Sequence, residues 1–186
     1  MCQPFFVFWL MKLIFFTGVP GSRWSGIAQE IKQDPTYDTT DRAPHRVYVH
    51  NKFSGHRDAY FGTGMEFDCN LNASNLYAPF SGTGTKLLMS HEWPYYFRDI
   101  QDVYPDAWIQ LIYRADKPSL DWWLQAGGFT ITYPNYEWYE NIDVMWERIC
   151  EQNKLILDFA QKHKLQWKQH HKHSDIFMTT YKGKQC

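Results

Sequence analysis

Three short segments carry residue types suited to holding an anion or moving a proton. They are Gly18-Val-Pro-Gly-Ser-Arg-Trp-Ser25, Ser90-His91 and Tyr113-Arg114. The first offers Gly18 and Gly21 for close backbone approach, Ser22 and Ser25 as hydroxyl donors, and the Arg23 guanidinium. Set between a strand and a helix, such a loop presents backbone N–H groups and a helix N-terminus to a negative ligand. A loop that cradles the phosphates of ATP reads Gly-x-x-x-x-Gly-Lys-Ser/Thr. Here Arg23-Trp24 stand where the Gly-Lys pair would be.

That replacement bears on the chemistry. Metal-assisted phosphoryl transfer needs the loop lysine and a carboxylate that holds magnesium at a strand end. The later segments end in Ser90-His91 and in Arg114, not in Asp. A sulfuryl group carries less charge than a phosphoryl group, so fixed cations and N–H dipoles suffice for its in-line transfer. The acceptor hydroxyl then needs a base, and histidine titrates in the right range. No metal is expected.

Elements that position these residues are legible in the pattern. Lys12–Thr17 is an apolar run that breaks at Gly18-Val-Pro-Gly, a buried strand entering a turn. Trp24, Ile27, Ala28 and Ile31 keep helical spacing, and the helix stops before Asp34-Pro35. Lys86–Ser90 and Trp108–Tyr113 read as further buried strands. Helices are expected from Pro94 to about Tyr104, from Pro118 to Gly127, and from about Tyr136 to Lys162. "RVYVH" at 46–50 reads as a strand, "FTITYPNY" at 129–136 as a connection or edge strand, and Leu165–Gln169 as a last strand. Alternating strands and helices imply an α/β, three-layer P-loop-type fold with a central, mostly parallel sheet flanked by helices. Ligands of such sheets bind beyond the carboxyl ends of the strands, where all three segments fall.

Composition sets the limits. The 186 residues suffice for one domain, with 44% hydrophobic and 21% charged residues. A net charge of -1 gives no general basic field, so nucleic acid is not an expected partner. The 9 Trp, 12 Tyr and 13 Phe fill cores or line clefts, and composition alone does not separate the two. Cys2, Cys69, Cys150 and Cys186 show no Cys-x-x-Cys spacing, so a reducing, cytoplasmic setting is expected. "PFFVFWLMKLIFF" is too short to cross a bilayer before Lys12, and it lacks the early charge and cleavage site of a signal peptide. We read residues 1–10 as an extension before Met11 and 11–186 as one domain, with a long loop region at about 36–84 suited to an acceptor and a basic tail at about 170–186.

The three segments together resemble the sulfotransferases that use 3′-phosphoadenosine 5′-phosphosulfate (PAPS). "GVPGSRWS" is similar to the loop that takes the 5′-phosphosulfate in that family, which reads like Gly-Val-Pro-Arg-Ser-Gly-Thr-Thr. "KLLMSHEWPYYF" looks like the strand ending in Lys-Thr-His, whose histidine is the catalytic base. "WIQLIYRADKPSLDWW" resembles the strand ending in the arginine that binds the 3′-phosphate. The resemblance spans about Lys12 to Trp123. It implies His91 as base and Arg23 as a charge on the leaving group. It implies Gly18, Pro20, Gly21, Ser22, Arg23, Trp24, Ser25, Arg114 and Ser119 as contacts to PAPS, with a small-molecule or glycan hydroxyl as acceptor.

The chain departs from the family at several positions. The loop's basic residue falls on Gly21, and Trp24 replaces a small hydroxyl residue. The serine after the arginine falls on Trp122, with Ser119 the nearest hydroxyl, and Met89 stands where the family has lysine. Two other readings stay open: a P-loop kinase or NTPase with a degenerate loop, and a non-catalytic module of the same fold. Each residue also has a plainer role. His91 could hydrogen-bond in the core, Arg114 could pair with Asp116 or Asp121, and Ser22 and Ser25 could cap the helix. Trp24, Trp122 and Trp123 suit core packing. His56, Arg57 and Asp68 suit a solvated loop, and His170, His171 and His173 suit a mobile tail without standard zinc spacing.

Overall fold

The computed structural model describes residues 12–31, 33–38, 47–49, 58–60, 69–77, 80, 82–130 and 141–184. The expectations for residues 1–11, for His56, Arg57 and Asp68, and for 131–136 of "FTITYPNY" lie outside the described residues.

The elements follow in order. Strand β1 (Leu13–Thr17) leads into helix α1 (Trp24–Ile31), and then into strands β2 (Tyr37–Asp38), β3 (Val47–Val49) and β4 (Asp58–Tyr60). A short helix α2 (Ala73–Tyr77) precedes β5 (Thr85–Met89), a 3-10 turn at Trp93–Tyr96 and helix α3 (Phe97–Val103). Strand β6 (Trp108–Arg114), helix α4 (Asp116–Gln125), a 3-10 turn at Gly128–Thr130 and helix α5 (Ile142–Lys162) come next. A hairpin of β7 (Lys168–His170) and β8 (His173–Tyr181) completes the order.

The main sheet has six strands in the order β2-β5-β1-β6-β8-β7, and β3 pairs with β4 apart from it. Its β2, β5, β1 and β6 are parallel, whereas β8 runs antiparallel to both β6 and β7. The sheet is therefore mixed, which corrects the mostly parallel sheet expected. The physical reason lies in the last segment. A strand near a sheet edge needs few buried side chains, and in β8 only Ile176 and Thr179 are buried. "HSDIFMTTY" thus has no continuous apolar run, and it reads as tail although its residues Ile176–Tyr181 pair with β6.

Alternation along β1 builds two cores. Leu13 and Phe15 face one side with Trp93, Phe97, Ile100, Trp123, Met145, Ile149 and Ile156; Ile14 and Phe16 face the other with Trp24, Ile27 and Ala28. Trp93 is fully buried, its Nε1 donates to the Leu88 carbonyl at 2.8 Å, and its ring meets Phe15 edge-on at 5.0 Å. So α1 leaves β1 on one face, while α3 leaves the neighbouring β5 on the opposite face. Adjacent strands whose connections leave to opposite faces define a crevice beyond their carboxyl ends.

Helix α5 starts at Ile142 rather than near Tyr136 because Asn141 caps it. The Asn141 Oδ1 accepts from the amides of Asp143 and Val144, both at 3.0 Å. Asn141→Ala should cost about 1 kcal/mol, read as a lower urea midpoint with an unchanged m value.

Candidate functional site

Because β5, β1 and β6 are parallel neighbours, the segments that follow them meet at one edge of the sheet. The Gly18 loop lies in the middle, with Ser90-His91 on one side and Arg114 on the other.

The loop folds tightly. The Ser22 amide donates to the Val19 carbonyl at 3.0 Å, closing a turn with Pro20 and Gly21 at its centre. Gly21 has φ +78°, as a turn with proline second and glycine third requires. Arg23 follows at φ 62°, a left-handed conformation that an L-residue adopts only under constraint. Its carbonyl accepts from the Ile27 amide at 3.0 Å and starts α1. Its guanidinium lies 3.9 Å from the centre of the Trp122 ring, a cation–π contact across to α4. Trp122 is therefore half-buried against Arg23 rather than packed in the core, whereas Trp24 and Trp123 are buried in it.

The loop rests directly on α4. A Cβ on Gly21 would stand 1.8 Å from the Ser119 carbonyl oxygen, so no side chain fits there. Ser119 is buried, and its Oγ donates to the Arg114 carbonyl at 3.2 Å. It holds the start of α4 to the end of β6. Gly18 is also crowded: an added Cβ would lie 2.6 Å from the Ser22 Oγ. Pro20 is buried and Ser25 half-buried.

Arg114 does not pair with Asp116 or Asp121. Its Nε donates to Asp175 Oδ2 at 2.7 Å, its Nη2 lies 2.7 Å from the same oxygen, and its Nη1 donates to the Gly21 carbonyl at 3.2 Å. Asp175 comes from β8, the strand read as a tail. Arg114 is thereby tied to both the loop and the hairpin. Burial lowers the pKa of Arg23, and nearby Arg114 lowers it further, whereas Asp175 and Glu30 oppose the shift. Two cations and one carboxylate thus share this part of the edge.

His91 is only 3% exposed. The Gln152 amide nitrogen donates to its Nδ1 at 3.1 Å, and burial pushes its pKa down to about 3. The core role, as one of the two expected, accounts for its surroundings. Neighbouring Asn153 donates to the Arg114 carbonyl at 2.9 Å and to Asp116 Oδ1 at 2.6 Å. Sequence reasoning passed over both amides. The signal was present: they follow Ile149 by three and four residues, on the buried stripe of α5 that continues at Ile156. No comparable signal marked Asp175.

Four polar atoms along this edge are buried without a hydrogen-bond partner: Thr17 Oγ1, Ser22 Oγ, Gln152 Oε1 and Asn153 Oδ1. Such atoms are few in native folds and tend to mark functional places. The His-rich hairpin is not a mobile tail. His170 is buried, its ring stacks on His173 with centroids 5.2 Å apart, and its turn meets Glu30 of α1. Burial lowers the pKa of both His170 and His173. Among the described residues, no helix is long and apolar enough to cross a membrane.

Comparison with known proteins finds no matching family model, no matching curated sequence and no matching solved structure. The reading of the site therefore rests on its own residues.

Proposed function

We propose that this edge binds a PAPS-type donor, the Gly18–Ser25 loop at its 5′-phosphosulfate and Arg114 at its 3′-phosphate, in a sulfotransferase-like α/β protein. One observation carries the reading: the glycine loop after β1, the histidine after β5 and the arginine that ends β6 lie on adjacent strands at the crevice between oppositely routed strands. The unpartnered Ser22 hydroxyl and the constrained Arg23 backbone support it, because strain and unmet polar groups gather where ligands bind. Arg23 and Arg114 supply the charge, and the start of α1 adds its dipole.

The donor's chemistry is the transfer of a sulfuryl group to a hydroxyl. Burial keeps His91 neutral, the form that a base needs, but a pKa near 3 makes it a weak proton acceptor at neutral pH. Burial is the cause of that low value and the Gln152 contact opposes it, so transfer requires His91 to become more solvated when the acceptor enters.

Binding and transfer can be tested apart. 3′-Phosphoadenosine 5′-phosphate should raise the melting temperature, and Arg114→Ala should weaken its binding by roughly 10- to 100-fold, as loss of a charged hydrogen bond does. ATP with magnesium should give no comparable shift. With radiolabelled donor and mixed hydroxyl acceptors, His91→Ala should lose transfer and keep the melting shift. No stabilisation by the nucleotide in calorimetry would sink the reading. Binding without transfer would leave the non-catalytic module.

A further inference from the structure

The β7–β8 turn and α1 bring together three side chains that are far apart in sequence. His170 Nε2 lies 3.8 Å and His171 Nε2 3.9 Å from the same carboxylate oxygen, Glu30 Oε2. One ligand atom from each of the three lies within 4.8 Å of the others. Around a tetrahedral zinc ion, donor atoms stand roughly 3.3 Å apart, given metal–ligand bonds of about 2.0–2.1 Å. The two His–Glu distances thus need to close by about half an ångström, and the His170–His171 pair by at most about 1.5 Å. His171, with a side chain 71% exposed, has the freedom to do so.

We infer that Glu30, His170 and His171 form a binding site for a divalent transition-metal ion of the zinc type. Two imidazoles and one carboxylate are a donor set that suits such ions and disfavours magnesium or calcium. The fourth position stays open to water. The surroundings fit this arrangement. Lys172 Nζ holds the other carboxylate oxygen, Glu30 Oε1, at 3.0 Å, which leaves Oε2 for the metal and fixes its direction. His170 is oriented by burial and by its stack on His173. Its Nδ1 now accepts from the Lys172 amide at a long 3.3 Å. Coordination through Nε2 places the ring's proton on Nδ1 and gives up that contact.

The ion clasps the hairpin to α1, the helix that begins at the anion loop. Its hairpin also carries Asp175, the partner of Arg114. The site is separate from the proposed nucleotide edge and does not depend on it.

Titrating the full chain with zinc chloride alone, without nucleotide or chelator, should show one ion bound per chain and a raised melting temperature. Cobalt in its place should give the visible absorption of a low-coordinate site. His171→Ala and Glu30→Gln change solvent-accessible side chains, and their melting temperatures without metal report on folding. Each should lower zinc affinity by at least about tenfold, the least that loss of even an outer supporting group produces. No zinc binding by the wild-type chain would overturn the site, and so would unchanged affinity in both variants.

Discussion

Gly21→Ala should destabilise the protein by about 3–4 kcal/mol, the largest loss expected from any single methyl group in the loop. Two costs add. The backbone at Gly21 has φ +78°, which an L-residue adopts at about 1 kcal/mol or more. The new Cβ would also stand 1.8 Å from the Ser119 oxygen, 2.7 Å from its carbonyl carbon and 2.9 Å from the Trp123 Cβ. Two of these atoms are helix backbone and cannot rotate away, so overpacking adds about 2 kcal/mol or more. Gly128→Ala is the control. It also has positive φ, but its nearest neighbours are side chains at 3.4 Å, so its cost should stay near 1 kcal/mol. Urea denaturation of the two variants checks the contrast, and equal losses would mean that the loop does not rest on α4. The same crowding bears on function. The basic residue of a sulfotransferase-like loop has no room at position 21; the loop's own cation, Arg23, is directed onto Trp122, and Arg114 Nη1 reaches the Gly21 carbonyl at 3.2 Å.

Acid should unfold the protein in part through His91. Its pKa in the folded protein, about 3, lies below the ordinary value of about 6.5. The unfolded chain therefore binds a proton that the folded chain refuses. The contribution to stability is complete above about pH 6.5 and falls as pH drops from there toward 3. Between pH 6.5 and 4.5 this one group should remove about 2 kcal/mol. Glu30, His163, His170 and His173 also have lowered pKa values and add losses of the same sign. His91→Gln isolates the effect. Its stability should fall less steeply than that of the wild type over this window, the two curves converging by about 2 kcal/mol. Parallel curves would show that His91 is not held neutral by burial. The same experiment bears on catalysis, since a histidine that protonates easily in the folded protein is a stronger base.

The parts that sequence made legible share one property: their signal is local. Leu13–Thr17, Thr85–Met89 and Trp108–Arg114 are buried on both faces, so their apolar runs stand out, and the structure places strands there. Helix α1 follows from Trp24, Ile27 and Ala28 at helical spacing, all buried. The order of the three chemical segments at one sheet edge follows from strands alternating with helices. β2 and α2 were not legible, because two or five residues are too few to carry a period. Nor was β8, whose partner is β6 and whose own residues are mostly polar.

What each side chain at the edge does was decided by tertiary structure. Sequence placed Arg114 after a strand. Only the antiparallel hairpin brought Asp175 to it, sixty-one residues away. Sequence placed His91 after another strand, but α5 set Gln152 against it and excluded water, and burial then governs its proton affinity. Glu30 and His170-His171 are unremarkable apart and meet only because β8 docks beside β6. Local pattern determines which backbone segments form, since that depends on neighbours along the chain. The partner of a charge, and whether it meets water, depends on segments that arrive from elsewhere.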